Sequence, residues 1–376
     1  MVAHLLSGLA IGGKERAALR LADRARPDGF DPTLILFDTP FRSEALDLHP
    51  GDLAVHFLPR AGGLDLRFAR RLAMLLRSLN ARIVHAHNET ALVYAALASR
   101  ICRPRPGVVA TFHTMPSHGG LAARLLARVA GQCATVVAVA EELAGRLGRS
   151  GWVRDCRVIW NGVETDRYTP GEHSDCWRER LSVGPGDVLI GHVARFDPVK
   201  RHDDLLDAAR RLQAGPSRIV LVLLGQGALL PAIREQARGL AGIRFVTQVS
   251  DMVPFLRSLD GFVLCSAHEA APLALLEAMA CGVPVVATEV GGVPHLLGAD
   301  RPDGPAGILV PPRDPGRLAT ELARLACDAA LRKELAAAAR ERALDFPFEA
   351  EWRAYRRLYE RDPRDGAAES LTEDRI

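Results

Sequence analysis

Short apolar, β-prone runs recur along this chain, and a helical pattern rather than a tight turn follows nearly every one. A first series comprises residues 3–6, 33–37, 55–58, 83–86, 108–112 and 136–139. A second comprises residues 188–193, 219–224, 243–246, 261–265 and 283–288. Runs that are apolar at consecutive positions fit strands covered on both faces, whereas strands with one wet face would alternate. Strands joined through helices lie parallel, because only a long crossover returns the chain to the same end of the sheet. The sequence therefore predicts an α/β protein with two Rossmann-like, doubly wound parallel sheets. The turn-rich, aperiodic segment 161–170 separates them and gives expected domains of 1–170 and 171–346. The remainder, 347–376, opens with Trp352, Tyr355, Leu358 and Tyr359 at helical spacing and ends in a polar tail from 362.

With 376 residues the chain is long enough for two full cores. No apolar, uncharged run reaches the length of a membrane-spanning helix, and residues 2–6 read as a core strand rather than a signal peptide. Seven scattered cysteines, odd in number and without a C-x-x-C pair, fit reduced thiols in a cytoplasm. Lysine occurs only at 14, 200 and 333, and asparagine only at 80, 88 and 161, in a chain rich in arginine. Where a compact ammonium persists against that bias the residue type is itself a clue, since a guanidinium is larger and planar.

The most informative segment runs from Ser266 to Thr288. Glu269 follows the strand 261–265, and Glu277 lies eight residues on, in a helix whose first turn takes Pro272 and whose end takes Gly282. Ligands of such sheets bind beyond the carboxyl ends of the strands. Leu275, Leu276, Ala278 and Met279 surround Glu277, so its carboxylate is expected to be buried and partnered. The segment 191–200 places Arg195 and Lys200 in the loop after another strand. Gly12 and Gly13 lie between the first strand and its helix, where backbone N–H groups approach an anion; Lys14 beside them would touch phosphate or face solvent. His113 ends the strand of Thr111-Phe112-His113-Thr114. His85 and His87 share one face of a strand and suggest metal, but no further ligand cluster supports one, and packing or acceptor contact is the favoured reading. No G-x-G-x-x-G occurs, which argues against a nicotinamide dehydrogenase, and no Asp-x-Asp occurs that would hold a divalent ion.

The pair Glu269 and Glu277, preceded by Arg195 and Lys200, resembles the Glu-x7-Glu signature of the retaining glycosyltransferases of family 4, the glycosyl transferases of group 1. The resemblance runs from residue 3 to about 360 and is sharpest at 191–200 and 266–294. It implies the GT-B fold, two Rossmann-like domains facing across a cleft, with a last helix crossing back to the first domain. It also implies that Glu269 contacts the donor sugar, that Glu277 holds the ribose, and that Arg195 and Lys200 bind the donor diphosphate. Gly12 and Gly13 match the family's Gly-Gly loop, and His113 matches a Thr-x-His element near the donor sugar. The implied catalytic set is Arg195, Lys200, Glu269 and His113, and donor binding extends to Gly225, Val249, Pro272 and Leu273. Ala270 departs from the glycine often found beside the first glutamate. No cofactor and no metal are expected, because fixed cations would stabilise the leaving diphosphate.

The expected activity is retaining transfer from a nucleotide-diphosphate sugar to a glycan or lipid-linked acceptor in bacterial cell-surface polysaccharide or glycolipid synthesis. A nucleotide-sugar 2-epimerase of the same fold and a non-catalytic sugar-nucleotide-binding subunit are the alternatives. No nucleic-acid partner is expected. Residues 1–170 carry 22 Lys and Arg against 15 Asp and Glu, so an anionic membrane surface is a further expected partner. Within 121–130, Leu121, Leu125 and Val129 form one stripe and Arg124 and Arg128 another. Core packing of the leucine stripe with the arginines in solvent is the favoured reading, and membrane contact the other.

Overall fold

A computed structural model describes residues 1–9, 12–40, 51–116, 120–172, 174–213 and 219–360. The polar tail expected from 362 lies outside the described residues. The chain divides into two compact units, one built mainly from Lys14–Trp160 with the first strand and the chain from Trp352 onward, the other from Asn161–Glu351.

The first unit holds a sheet of β1 (Val2–Leu6), β2 (Pro32–Leu36), β3 (Ala54–Phe57), β4 (Ile83–Ala86), β5 (Gly107–Phe112), β6 (Thr135–Ala138) and β7 (Arg157–Val158). Their order is β3-β2-β1-β4-β5-β6-β7, parallel throughout. The second unit repeats the plan with β8 (Val188–Val193), β9 (Ile219–Leu224), β10 (Ile243–Val246), β11 (Gly261–Leu264), β12 (Val285–Thr288) and β13 (Ile308–Val310), in the order β10-β9-β8-β11-β12-β13. Both expected sheets are therefore present. The strand succession reverses between β1 and β4 and again between β8 and β11, and such reversals leave a crevice at the carboxyl ends of the two strands. In the second unit Ile190, Leu221, Val263, Val286 and Leu322 fill the core on which that crevice rests.

Local chemistry accounts for details the strands alone do not. Asn88 caps the helix Glu89–Ile101, its side-chain oxygen accepting from the Ala91 N–H at 2.7 Å. In the helix Phe348–Glu360 the buried Trp352 indole donates to Asp28 at 2.7 Å, which anchors that helix in the first unit.

Three expectations need correction. The leucine stripe expected in the core lies on the surface: Leu121, Leu125 and Val129 are 69%, 53% and 50% exposed. The helix Leu121–Gly131 instead turns its small residues Ala127 and Ala130 inward, so close packing is made by alanines. Pro272 precedes the helix Leu273–Ala280 as its capping residue instead of sitting in its first turn. The strand expected from 283 starts at Val285.

Candidate active site

The loops that follow β8 and β11 are neighbours because those strands are neighbours. The Ala267 N–H donates to the Val199 carbonyl at 2.8 Å, and the Cys265 thiol approaches the Lys200 carbonyl at 3.3 Å. Phe196, fully buried and stacked on His202 with ring centroids 4.1 Å apart, pins the first loop between Arg195 and Asp197. That pinning leaves Arg195 outside, half exposed and paired with Asp197 at 2.6 Å. Lys200 turns inward, and its Nζ lies 2.6 Å from Glu269 Oε1. The Ser266 hydroxyl donates to the same carboxylate oxygen at 2.7 Å, and the Thr288 hydroxyl holds the Ser266 carbonyl, also at 2.7 Å. Glu269 is thus a buried carboxylate with one cationic and one neutral donor, as a charge in that environment requires.

Two glycines make this geometry possible. A Cβ on Gly225, at φ +151°, would lie 2.0 Å from the Ala194 carbonyl oxygen, so only glycine lets the loop after β9 close on the Arg195 loop. A Cβ on Gly291, at φ +55°, would lie 1.6 Å from the Glu269 carbonyl oxygen, which accepts from the Gly292 N–H at 3.2 Å. The backbone of Glu269 is therefore held from the loop after β12. On the other side the Asn161 amide donates to the Ala271 carbonyl at 2.7 Å. Ser266, Asn161, Thr288 and Gly291 were not singled out as site residues from the sequence. Only the rarity of asparagine pointed to any of them.

Glu277 is buried on the helix Leu273–Ala280, as its apolar neighbours imply. Leu273 and Val249 are buried as well, and Pro272 is partly buried. The structure thus brings Lys200 directly onto Glu269, while Arg195 holds Asp197 and Gly225 serves the backbone of the Arg195 loop.

Gly12 and Gly13 lie at the start of the helix Gly13–Ala25 that follows β1, and His113 directly follows β5. Gly13 begins the helix Gly13–Ala25, and a Cβ there would meet open space. Lys14 Nζ lies 3.2 Å from the carboxylate of the buried Glu15. The structure adds His4 to His85, His87 and His113, so that four imidazoles gather, two paired within β1 and β4 and two just beyond β4 and β5. His4 Nδ1 is 3.1 Å from His87 Nε2, and His87 Nδ1 is 3.4 Å from His113 Nε2. His85 is held separately, by the Tyr359 hydroxyl at 2.6 Å and the Thr111 hydroxyl at 2.8 Å. Burial lowers all four pKa values, those of His4 and His113 to about 3, and the Lys14 charge adds to the effect at His113. Nitrogens of His4, His85 and His87 lie within 4.8 Å of one another, the spacing of a metal site. The rings of His85 and His87 are stacked, however, with centroids 4.1 Å apart, and stacked rings cannot both contain one ion in their planes.

Paired Rossmann-like sheets of this strand order define the GT-B class of glycosyltransferases, and solved structures agree. A glycosyltransferase from Rickettsia africae superposes with a TM-score of 0.81 over 97% of this chain and 99% of its own, at 18% identity. HepE of Anabaena in complex with UDP and glucose superposes with a TM-score of 0.80 over 96% of this chain and 99% of its own, at 21% identity. Residues 187–328 match the family model for glycosyl transferases group 1, and residues 11–167 match that for glycosyltransferase family 4. The glycosyltransferase named EpsF from Bacillus subtilis is 28% identical over 77% of this chain and 79% of its own length. A D-inositol 3-phosphate glycosyltransferase from Geodermatophilus obscurus is 36% identical over 51% of this chain, a match spanning 44% of that relative. The chain belongs to the glycosyltransferases of group 1.

Proposed function

We propose that this glycosyltransferase is a retaining enzyme that transfers a sugar from a nucleotide-diphosphate sugar to a glycan or lipid-linked acceptor of cell-surface polysaccharide or glycolipid synthesis. The contact of Lys200 with Glu269 at the β8–β11 crevice carries the reading. A compact cation beside a carboxylate suits a ligand that joins a diphosphate to a polyhydroxylated ring. Lys200, with Arg195 released from Asp197, would face the diphosphate, Glu269 the sugar hydroxyls and Glu277 the ribose. His113 would donate to a sugar hydroxyl. During transfer the bond from the anomeric carbon to the diphosphate oxygen breaks as the acceptor oxygen bonds to the same face. The acceptor proton passes to a leaving phosphate oxygen, and nucleoside diphosphate departs. Negative charge grows on that group, and fixed cations stabilise it without reorganising, which makes a divalent ion unnecessary in this reading. The capture of UDP and UDP-glucose by HepE supports a nucleotide-sugar donor.

A panel of nucleotide sugars, offered with and without acceptors in the presence of chelator, tests the proposal by NMR of the product. An α-linked donor should give an α-linked product. An inverted product, release of an epimerised sugar without acceptor, or loss of turnover in chelator would each overturn the corresponding part.

We also propose contact with an anionic membrane surface through the helix Leu121–Gly131. Among the described residues no helix is long and apolar enough to cross a membrane. Leu121, Leu125, Leu126 and Val129 are nevertheless all exposed on this one helix, with Arg124 and Arg128 beside them. Each leucine transferred from water contributes about 1.5–3 kcal/mol, and each arginine near an anionic surface about 1 kcal/mol. Liposome flotation at low salt should show more binding to anionic than to neutral vesicles, and Leu125→Asp should abolish the difference. Equal binding to both vesicle types refutes the contact.

A further inference from the structure

The imidazoles of His4, His87 and His113 form a chain whose two ends differ. At one end His4 Nε2 is buried and has no hydrogen-bond partner among the described residues. At the other end His113 is only partly buried. A neutral imidazole carries one N–H and one bare nitrogen, so each link in the chain needs one proton between its two nitrogens. Only two arrangements satisfy both links. If the protons point inward, from His113 Nε2 to His87 and from His87 Nε2 to His4, then His4 Nε2 must carry a buried N–H with no acceptor. If they point outward, His4 Nδ1–H donates to His87 Nε2, His87 Nδ1–H donates to His113 Nε2, and the orphan atom at His4 is a bare lone pair. Orphaned buried N–H groups are the rarer and costlier of the two defects.

We propose that His4 and His87 are positioning residues that lock His113 in the Nδ1–H tautomer, so that it presents a hydrogen-bond donor with a fixed direction to the substrate. The inference rests on the proposed role of His113 at a sugar hydroxyl. Stacking of His85 on His87, with His85 itself clamped by Thr111 and Tyr359, fixes the plane of the middle ring. The Thr111 hydroxyl is braced in turn by the Tyr355 hydroxyl at 2.9 Å. Burial keeps the chain neutral, since a charged ring would lose its hydration where, among the described residues, no carboxylate is hydrogen-bonded to the three rings. The chain stops at His4 Nε2, so it sets a tautomer and does not conduct protons.

Two-bond proton–nitrogen NMR on protein labelled with 15N-histidine reads the tautomer directly, with His113 assigned through His113→Gln. The wild-type protein should show a protonated Nδ1 and a bare Nε2 at His113, and a bare Nε2 at His4. A protonated Nε2 at His113, an imidazolium, or averaged signals from two tautomers would overturn the proposal. His87→Phe keeps a ring in place while removing both links, and His113 should then lose its single tautomer. Its kcat/KM for the donor should fall about 3- to 10-fold, the weight of one neutral hydrogen bond. An unchanged His113 spectrum in folded His87→Phe also overturns it. Failure to detect sugar transfer in the wild type would count against the function and leave the tautomer result standing.

Discussion

Replacing Lys200 by alanine should injure this protein twice, and the two injuries are separable. The first is to stability. The Lys200 side chain is 20% exposed and that of Glu269 is 9% exposed, so their pair is largely shielded from water. Removing one partner of a buried pair costs about 3–5 kcal/mol, because the other charge is stranded. Glu269 keeps the Ser266 hydroxyl and some solvent, which reduces the expected cost to about 2–3 kcal/mol. In a unit of this size that corresponds to a fall in Tm of roughly 5–10 °C. The second injury is to catalysis: a lost electrostatic donor at a developing charge lowers kcat by roughly 100- to 1000-fold. The double variant Lys200→Ala/Glu269→Gln removes the stranded charge, so it should regain most of the lost Tm and none of the lost turnover. Lys200→Arg should recover part of both. Differential scanning calorimetry and steady-state kinetics on the variants decide the matter. Near-normal turnover in Lys200→Ala refutes its role at the diphosphate. A double variant no more stable than the single one refutes the electrostatic account of the pair.

Glu277→Ala should raise KM for the donor about 10- to 100-fold and change kcat less, because a ribose contact is the same in ground and transition state; calorimetric titration with free nucleoside diphosphate showing unchanged affinity would contradict this. Gly291→Ala should cost about 2–5 kcal/mol, since its Cβ would displace the Glu269 carbonyl from a left-handed backbone, whereas Gly13→Ala, facing open space, should melt like the wild type. Acid should destabilise the protein from about pH 6.5 downward. Burial holds His4 at about 3 and His192 at about 4, whereas both titrate near 6.5 once unfolded. Above 6.5 they are neutral in both states. Below it only the unfolded chain takes up their protons, so each such histidine removes about 1.4 kcal/mol per pH unit until its folded pKa is reached. Urea melts between pH 7 and 4.5 that gave a constant midpoint would refute the burial of these rings.

The two sheets were legible because most of their strands are continuous apolar runs, and the Arg195, Lys200, Glu269 and Glu277 segments because their order along the chain matches a known family pattern. β7 and β13 escaped notice, since runs of two or three residues carry no periodicity. Leu121, Leu125 and Val129 were misread because a helical stripe reveals one apolar face without saying what covers it, and here alanines make the inward face. Ser266 and Gly291 matter through contacts closed by folding, one with a nearby carboxylate and one with the carbonyl of a residue on a different loop. His4 looked like any strand residue until β1 was set beside β4. No pattern in the sequence specifies which strands become neighbours, and that adjacency is what assembles the histidine chain.

The contact between Lys200 and Glu269 turns binding into an exchange of partners rather than an addition. Without substrate the ammonium and the carboxylate satisfy each other at 2.6 Å. In the proposed reading an intact donor replaces both at once, offering phosphate oxygens to Lys200 and hydroxyls to Glu269. The nucleoside diphosphate left after transfer offers only the first replacement, so Glu269 loses its sugar while its cation is still occupied elsewhere. Re-forming the pair then favours departure of the spent nucleotide. The same two side chains that grip the substrate would thereby discriminate against the product.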